Sequence, residues 1–322
     1  MEKLSAFIAP ESSRKPELEE AKPADSLEPE EVEEQLRILE RRPAESAEAL
    51  NAMNSLLQFR RQEIRESVDL TPEKILAKYP SFLKVPDLII KDFETDVKRK
   101  SKRPGKTWID CWNEAIDFII QEALAKTRPH PAQKKICESF GLYDARSELG
   151  ELLPEEKSRL ALLLLPCILM PSIHFVGPPR RKAKKGAEVD KIPLGTAIEH
   201  LLQIKKSGPG RSIREVVEEC KKDKDLTQPF LLGMSQSGKI GEEVSQFYLV
   251  INFRYIVLPC ASVAEAVHFL FASFHTFNTD YPVGLKAVYL FFELLCGLPS
   301  SQNPGRALDL YDHLNAYLSQ RD

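Results

Sequence analysis

Apolar side chains recur at helical spacing through the first half of the chain. Leu50, Met53 and Leu57 alternate with charged residues in a pattern that predicts one amphipathic helix between 44 and 67. A broader apolar stripe, from 108 to 126, predicts a helix of the core.

Prolines mark the starts of three more predicted helices in this half. Thr71 followed by Pro72 is typical of an N-cap and a first helical position. Pro86 and Pro154 stand at the starts of two further apolar stretches. The sequence therefore predicts a helical region from 46 to 176.

The period of the pattern changes in the second half. Two helices, at about 195–206 and 211–223, lead to short aromatic and β-branched runs separated by turn residues. These runs predict a small antiparallel sheet near residues 230–258. Helices that begin at Ser262 and Pro282 are predicted to cover the sheet.

The predicted fold class is thus α+β, and predominantly α-helical. Its second region, 193–322, consists of helices packed on the small antiparallel sheet, and a last helix is predicted at 305–319.

Two segments lack the apolar content of a folded element. Residues 1–45 are rich in Glu and Pro, which predicts an acidic disordered arm. Within it, Val32, Leu36 and Leu39 are spaced for a short amphipathic helix that is marginal alone. Residues 177–192 are basic and interrupted by Pro and Gly, which predicts a linker loop between the two regions.

Composition excludes some classes of protein. With 322 residues, of which 43% are hydrophobic, the chain can build a substantial core. Its net charge of -3 creates no global field towards nucleic acid or anionic lipid. The six cysteines contain no C-x-x-C pair and are predicted to be reduced and structural. The longest apolar run, 160–170, is too short to span a membrane, so no membrane association is expected.

One motif resembles the start of a phosphate-binding loop. Gly233, Gly238 and Lys239 match G-x-x-x-x-G-K after a predicted strand. Ile240 stands where a Ser or Thr hydroxyl would bind magnesium, and no long helix follows. The motif therefore predicts a hairpin loop rather than a nucleotide site.

Two histidines share a predicted helix. His268 and His275 lie seven residues apart, and Glu265 precedes them. Because the separation is about 10 Å along a helix axis, one metal ion cannot bind both, and the pair is predicted to lie at the core or its boundary. No other pattern indicates catalytic residues, a cofactor or a metal, so we expect no enzyme activity.

The sharpest charge feature lies in the predicted linker. Five cations fall within six residues, namely Arg180, Arg181, Lys182, Lys184 and Lys185. Three interpretations stay open: a nuclear-import signal, a contact with nucleic-acid phosphates, or a solvated loop. No aromatic residue interleaves with the cations, so bases have no stacking platform there.

Several segments of the second half resemble a known family. These are 228–233, 245–251, 262–267 and 274–282, with weaker similarity at 71–83 and 89–93. They resemble uncharacterised vertebrate proteins labelled sterile alpha motif domain-containing protein 3-like, over about 71–300 and most strongly over 228–300. The resemblance implies a common fold and no catalytic residue. An N-terminal sterile alpha motif is not expected, because the acidic arm differs from a folded helical bundle.

The sequence thus predicts a non-enzymatic protein that binds another protein, in the nucleus or the cytoplasm. The alternative is a nucleic-acid-associated protein, derived from a mobile element, that uses the cations at 180–185. Neither interpretation names a partner.

Overall fold

The computed structural model describes residues 27–67, 69–101, 105–142, 152–169, 194–220, 228–299 and 305–321. The described part is mostly helical and contains a four-stranded mixed sheet, which confirms the predicted α+β, predominantly helical fold class. None of its helices is long and apolar enough to cross a membrane.

The helices predicted to begin near Thr71, Pro86, Trp108 and Pro154 are present. The helices of the first half are α1 (Pro29–Arg41), α2 (Ala47–Ser55), α3 (Leu57–Glu66), α4 (Pro72–Lys78), α5 (Ser81–Lys84), α6 (Asp87–Lys100), α7 (Trp108–Leu124), α8 (Pro131–Ser139) and α9 (Pro154–Leu169). Two short helices among these, α5 and α8, were not predicted. The Thr71 hydroxyl accepts a hydrogen bond from the Lys74 N–H, as the predicted N-cap requires. The single helix predicted at 44–67 is two helices, because the chain leaves helical geometry at Leu56.

Part of the predicted disordered arm, Pro29–Arg41, is a helix in the structure. Helix α1 packs against α2, and Leu39 is buried between them and the body. The apolar stripe that is marginal in isolation is therefore stabilised by tertiary packing. The rest of the predicted arm, 1–26, lies outside the described residues.

The second half contains α10 (Leu194–Glu199), β1 (Leu202–Lys206), α11 (Ile213–Cys220), β2 (Phe230–Ser235), β3 (Gln246–Ile251), β4 (Arg254–Val257), α12 (Val263–Thr276), a 3-10 turn (Val283–Leu285), α13 (Lys286–Leu295) and α14 (Arg306–Leu318). The strand order is β1-β2-β3-β4. The three predicted strand segments, now β2, β3 and β4, pair antiparallel with one another, as expected.

Strand β1 was not expected. The predicted helix at 195–206 ends at Glu199, and Leu202 then begins a strand parallel to β2, with α11 as the crossover helix. The sheet is therefore mixed rather than wholly antiparallel. Apolar residues at 194, 197, 198, 201 and 202 fit a helical stripe, so the sequence pattern could not reveal the strand.

Each face of the sheet buries a different set of side chains. Leu231, Phe247 and Leu249 join the large core on the side of α12, whereas Leu232 and Val250 pack beneath α11. This alternation follows from the period of two along a strand. The sheet is thus a layer between helices.

The two predicted regions share one core. The Trp108 indole N–H donates to the Ala264 carbonyl at 3.1 Å, and the Thr276 hydroxyl donates to the Ile89 carbonyl at 3.1 Å. Buried apolar residues of both regions form one continuous cluster. The division between 46–176 and 193–322 is therefore not a division between two cores.

Candidate functional site

The predicted basic site cannot be placed. Arg180, Arg181, Lys182, Lys184 and Lys185 all lie outside the described residues, as does the predicted linker 177–192. The interpretations of that run therefore stay predictions.

The loop that resembles a phosphate-binding loop joins β2 to β3, which confirms the predicted hairpin loop. The Gly238 N–H donates to the Ser235 hydroxyl at 2.9 Å, and the Ser237 N–H donates to Glu242 Oε2 at 3.0 Å. Hydrogen bonds from the side chain and the backbone of Ser237 lower the pKa of the Glu242 carboxyl. The Ser237 N–H is therefore already paired with a carboxylate of the chain itself.

The same loop is fixed against the helical part of the molecule. Buried Arg159 of α9 donates to the Gly241 carbonyl at 3.0 Å, and its guanidinium lies over the Phe140 ring at 5.4 Å. A Cβ atom placed on Gly241 would lie 1.7 Å from the Ser139 carbonyl oxygen. Gly241 is therefore required for close contact between two backbones.

The two histidines of α12 lie at the boundary of the core, as predicted. The His268 ring stacks on Trp108, and both imidazoles contact the Phe93 ring. Burial lowers the pKa of His268 and of His275 to about 4, so both rings are neutral at neutral pH. Within the described part of the chain, no group of His, Cys, Asp and Glu side chains could hold a metal ion.

A chain of hydrogen bonds connects α12 to α13. The Tyr281 hydroxyl donates to Glu293 Oε1 at 2.8 Å and lies 3.1 Å from His275 Nε2. Because the hydroxyl proton points to the carboxylate, His275 must donate through Nε2. Burial, followed by the Glu293 carboxylate, raises the pKa of Tyr281. The arrangement holds the phenol protonated and positions the two helices.

An open concave feature lies between the end of α7 and helix α8. This feature, which we call the α8 cleft, has a volume of about 350 Å³. Its lining combines apolar, charged and amide side chains: Leu124, Lys126, Pro129, Gln133, Lys134, Cys137, Glu138 and Leu142. Three of these residues, Lys126, Lys134 and Glu138, are exposed.

Gln133, a lining residue of the α8 cleft, carries a buried carbonyl that has no hydrogen-bond partner. Its side chain is 2% exposed, and its Nε2 donates to the Ala123 carbonyl at 2.7 Å. That bond fixes the orientation of the Gln133 amide. The Ala123 carbonyl can only accept a hydrogen bond, so the amide nitrogen rather than the amide oxygen must face it. Gln133 Oε1 is buried and has no hydrogen-bond partner. Such a group costs about 1–3 kcal/mol unless a donor reaches it.

The other polar groups in and beside the α8 cleft include the Lys126 ammonium and the thiols of Cys137 and Cys167. Lys126 is largely exposed, yet its ammonium donates to the Cys167 carbonyl at 2.7 Å and desolvation there lowers its pKa. Burial raises the pKa of Cys137 and raises that of Cys167 to about 12. Both thiols are therefore protonated at neutral pH. The cleft offers binding groups rather than a thiolate.

Comparisons with known proteins found no family model, curated protein or solved structure that matches this chain. The resemblance to sterile alpha motif domain-containing protein 3-like proteins therefore stays a prediction. The sequence patterns described above do not indicate the α8 cleft. The available signal was a run of cations and prolines between 126 and 135.

Proposed function

We propose that this protein is a non-enzymatic binding protein that engages another protein through the α8 cleft. The observation that carries the proposal is an open cleft lined in part by Gln133, a residue whose buried side-chain carbonyl has no hydrogen-bond partner. A bound polypeptide supplies backbone N–H donors of the kind that this oxygen lacks.

The form of the cleft favours a peptide segment over a small metabolite. Small-molecule sites enclose most of their ligand, in cavities of about 300–1,000 Å³. The α8 cleft has a volume at the low end of that range, and its border consists of exposed side chains such as Lys134 and Glu138. A segment of a larger partner fits such a site, because one side of the segment stays in contact with solvent or with the partner.

The roles of the reactive side chains elsewhere are consistent with this proposal. His275 and Tyr281 join two helices, and Glu242 closes the loop between β2 and β3. All six cysteines are free, and five are buried. In the described part of the chain these groups serve packing and local hydrogen bonding.

The proposal can be tested by selecting peptides from a phage-displayed random library on the full chain. Binding of each selected peptide is then measured by fluorescence polarisation on the parent protein and on Leu124→Arg, which introduces a long charged side chain into the α8 cleft. Leu308→Arg is the matched control, because Leu308 is 39% exposed on α14 and does not line the cleft.

We expect saturable binding that Leu124→Arg abolishes and Leu308→Arg retains, with thermal unfolding showing that both variants are folded. Failure to select any saturable binder, or equal loss of binding in both variants, would contradict the proposal.

A further inference from the structure

We propose that the occupant of the α8 cleft is an acidic peptide segment that also carries an apolar side chain. This inference rests on the proposed function and adds the chemistry of the partner. Three features of the cleft support it: unpaired cations along its border, an apolar part of its lining, and a buried acceptor.

Two cations, Lys126 and Lys134, line the cleft. Arg128 and Lys135 lie in the same stretch, 126–137, which contains no acidic residue, and all four are exposed. In the described part of the chain, none of them forms a salt bridge. Among the lining residues that the structure describes, the one acid is Glu138, so their summed charge is positive, whereas the full chain carries -3.

This contrast between local and total charge makes the site selective. The net charge of -3 supplies no general attraction for an acidic ligand, so attraction must come from the local cations. Complementary charge of this kind sets specificity and the rate of association more than it sets affinity. An acidic segment is thus directed to the cleft.

The apolar part of the lining favours a partner that has an apolar side chain as well as negative charge. Leu124 is half-buried beside Pro129, and Leu142 is buried at the edge of the cleft. An apolar side chain placed against Leu124 and Pro129 would remove its own surface and theirs from water. The segment therefore needs one apolar residue among its acidic ones.

Gln133 disfavours a phosphate group as its partner. Its Oε1 accepts hydrogen bonds only, so it gains nothing from the acceptor oxygens of a phosphate backbone. A peptide N–H is a donor of the kind that this oxygen lacks. Among the lining residues that the structure describes, none is aromatic, so bases find no ring on which to stack there.

The test uses two pools of fluorescein-labelled peptides with the same apolar anchor. In one pool the flanking positions are Asp or Glu, and in the other they are the neutral isosteres Asn or Gln. Polarisation titrations are done on the full chain and on the double variant Lys134→Glu, Lys135→Glu. The control variant Lys84→Glu, Lys286→Glu changes the net charge equally at two exposed lysines outside the cleft lining.

We expect the acidic pool to bind at least about tenfold more tightly than the neutral pool, and to lose that advantage with Lys134→Glu, Lys135→Glu only. Added salt should reduce the same advantage. Equal binding of both pools that Leu124→Arg still abolishes would overturn the acidic partner while retaining the proposed function. Absence of saturable binding by either pool would contradict both. Salt-dependent binding of labelled single-stranded RNA that the cleft variant removes, without peptide binding, would overturn the inference in favour of nucleic acid.

Discussion

Arg60 of α3 and Asp92 of α6 form an ion pair inside the core. Two nitrogens of the guanidinium donate to the carboxylate, with the shortest contact at 2.7 Å, and the two side chains are 1% and 4% exposed. Arg60 also donates to the Met53 carbonyl at 2.7 Å, so one buried cation connects three helices. Desolvation raises the pKa of Asp92, and Arg60 opposes that rise.

Replacing one residue of this ion pair should lower the free energy of unfolding far more than replacing both. Asp92→Ala leaves Arg60 charged and buried, and we expect a loss of about 3–5 kcal/mol in unfolding free energy. The double variant Arg60→Met, Asp92→Leu should recover much of that loss, because no unpaired charge is left. Urea unfolding of the two variants measures the difference. Equal stability of the parent and Asp92→Ala would contradict the burial of the pair.

The loop between β2 and β3 should tolerate no side chain at Gly241. In Gly241→Ala the new Cβ atom meets the Ser139 carbonyl oxygen, so the contact between the loop and α8 must open. We expect a loss of about 1–3 kcal/mol in unfolding free energy. Gly208→Ala is the control, since no atom lies within 4 Å of a Cβ placed there. Similar unfolding midpoints for the two variants would show that the contact is absent.

Phe271 should be one of the most costly positions to truncate. Its ring lies 5.3 Å from the Phe93 ring and 5.5 Å from the Trp108 ring, between centroids, and it also contacts Phe292 in the core. Phe271→Ala should lower unfolding free energy by about 3–5 kcal/mol. A change below about 0.5 kcal/mol would indicate a surface position.

Acid should destabilise the protein through the histidines of α12. The pKa of His268 falls from 6.5 to about 4 in the folded state, so between these values the unfolded chain binds more protons. Stability should therefore fall as the pH drops from about 6.5 towards about 4, by about 3 kcal/mol at most for this group. His268→Phe should flatten this slope, whereas substitution of exposed His313 by Asn should not. An unchanged slope in His268→Phe would show that His268 is not buried as a neutral ring.

Local structure was predictable because its determinants lie close together in the chain. Thr107 with Asp110, and Ser262 with Glu265, form capping boxes within one helical turn. Short sequence patterns likewise predict the helix start at Pro72 and the strands at 230–258. These signals need no knowledge of the rest of the fold.

The rest depends on contacts between distant segments. Strand β1 exists because Leu202 pairs with Leu231, although its apolar residues fit a helical stripe equally well. The burial of Arg60 depends on a carboxylate 32 positions away. The α8 cleft is visible only when α7 and α8 are packed, since no sequence pattern shows that Gln133 is buried without a donor.

Hydrogen–deuterium exchange of the full chain, with and without a peptide from the acidic pool, tests the central claim most directly, because it locates the contact without any substitution. The account predicts slower exchange of backbone amides between 124 and 142, at the end of α7 and in α8, and unchanged exchange in β3 and β4. Slower exchange confined to other elements, or no change at saturating peptide, would contradict the claim that the α8 cleft is where this protein binds its partner.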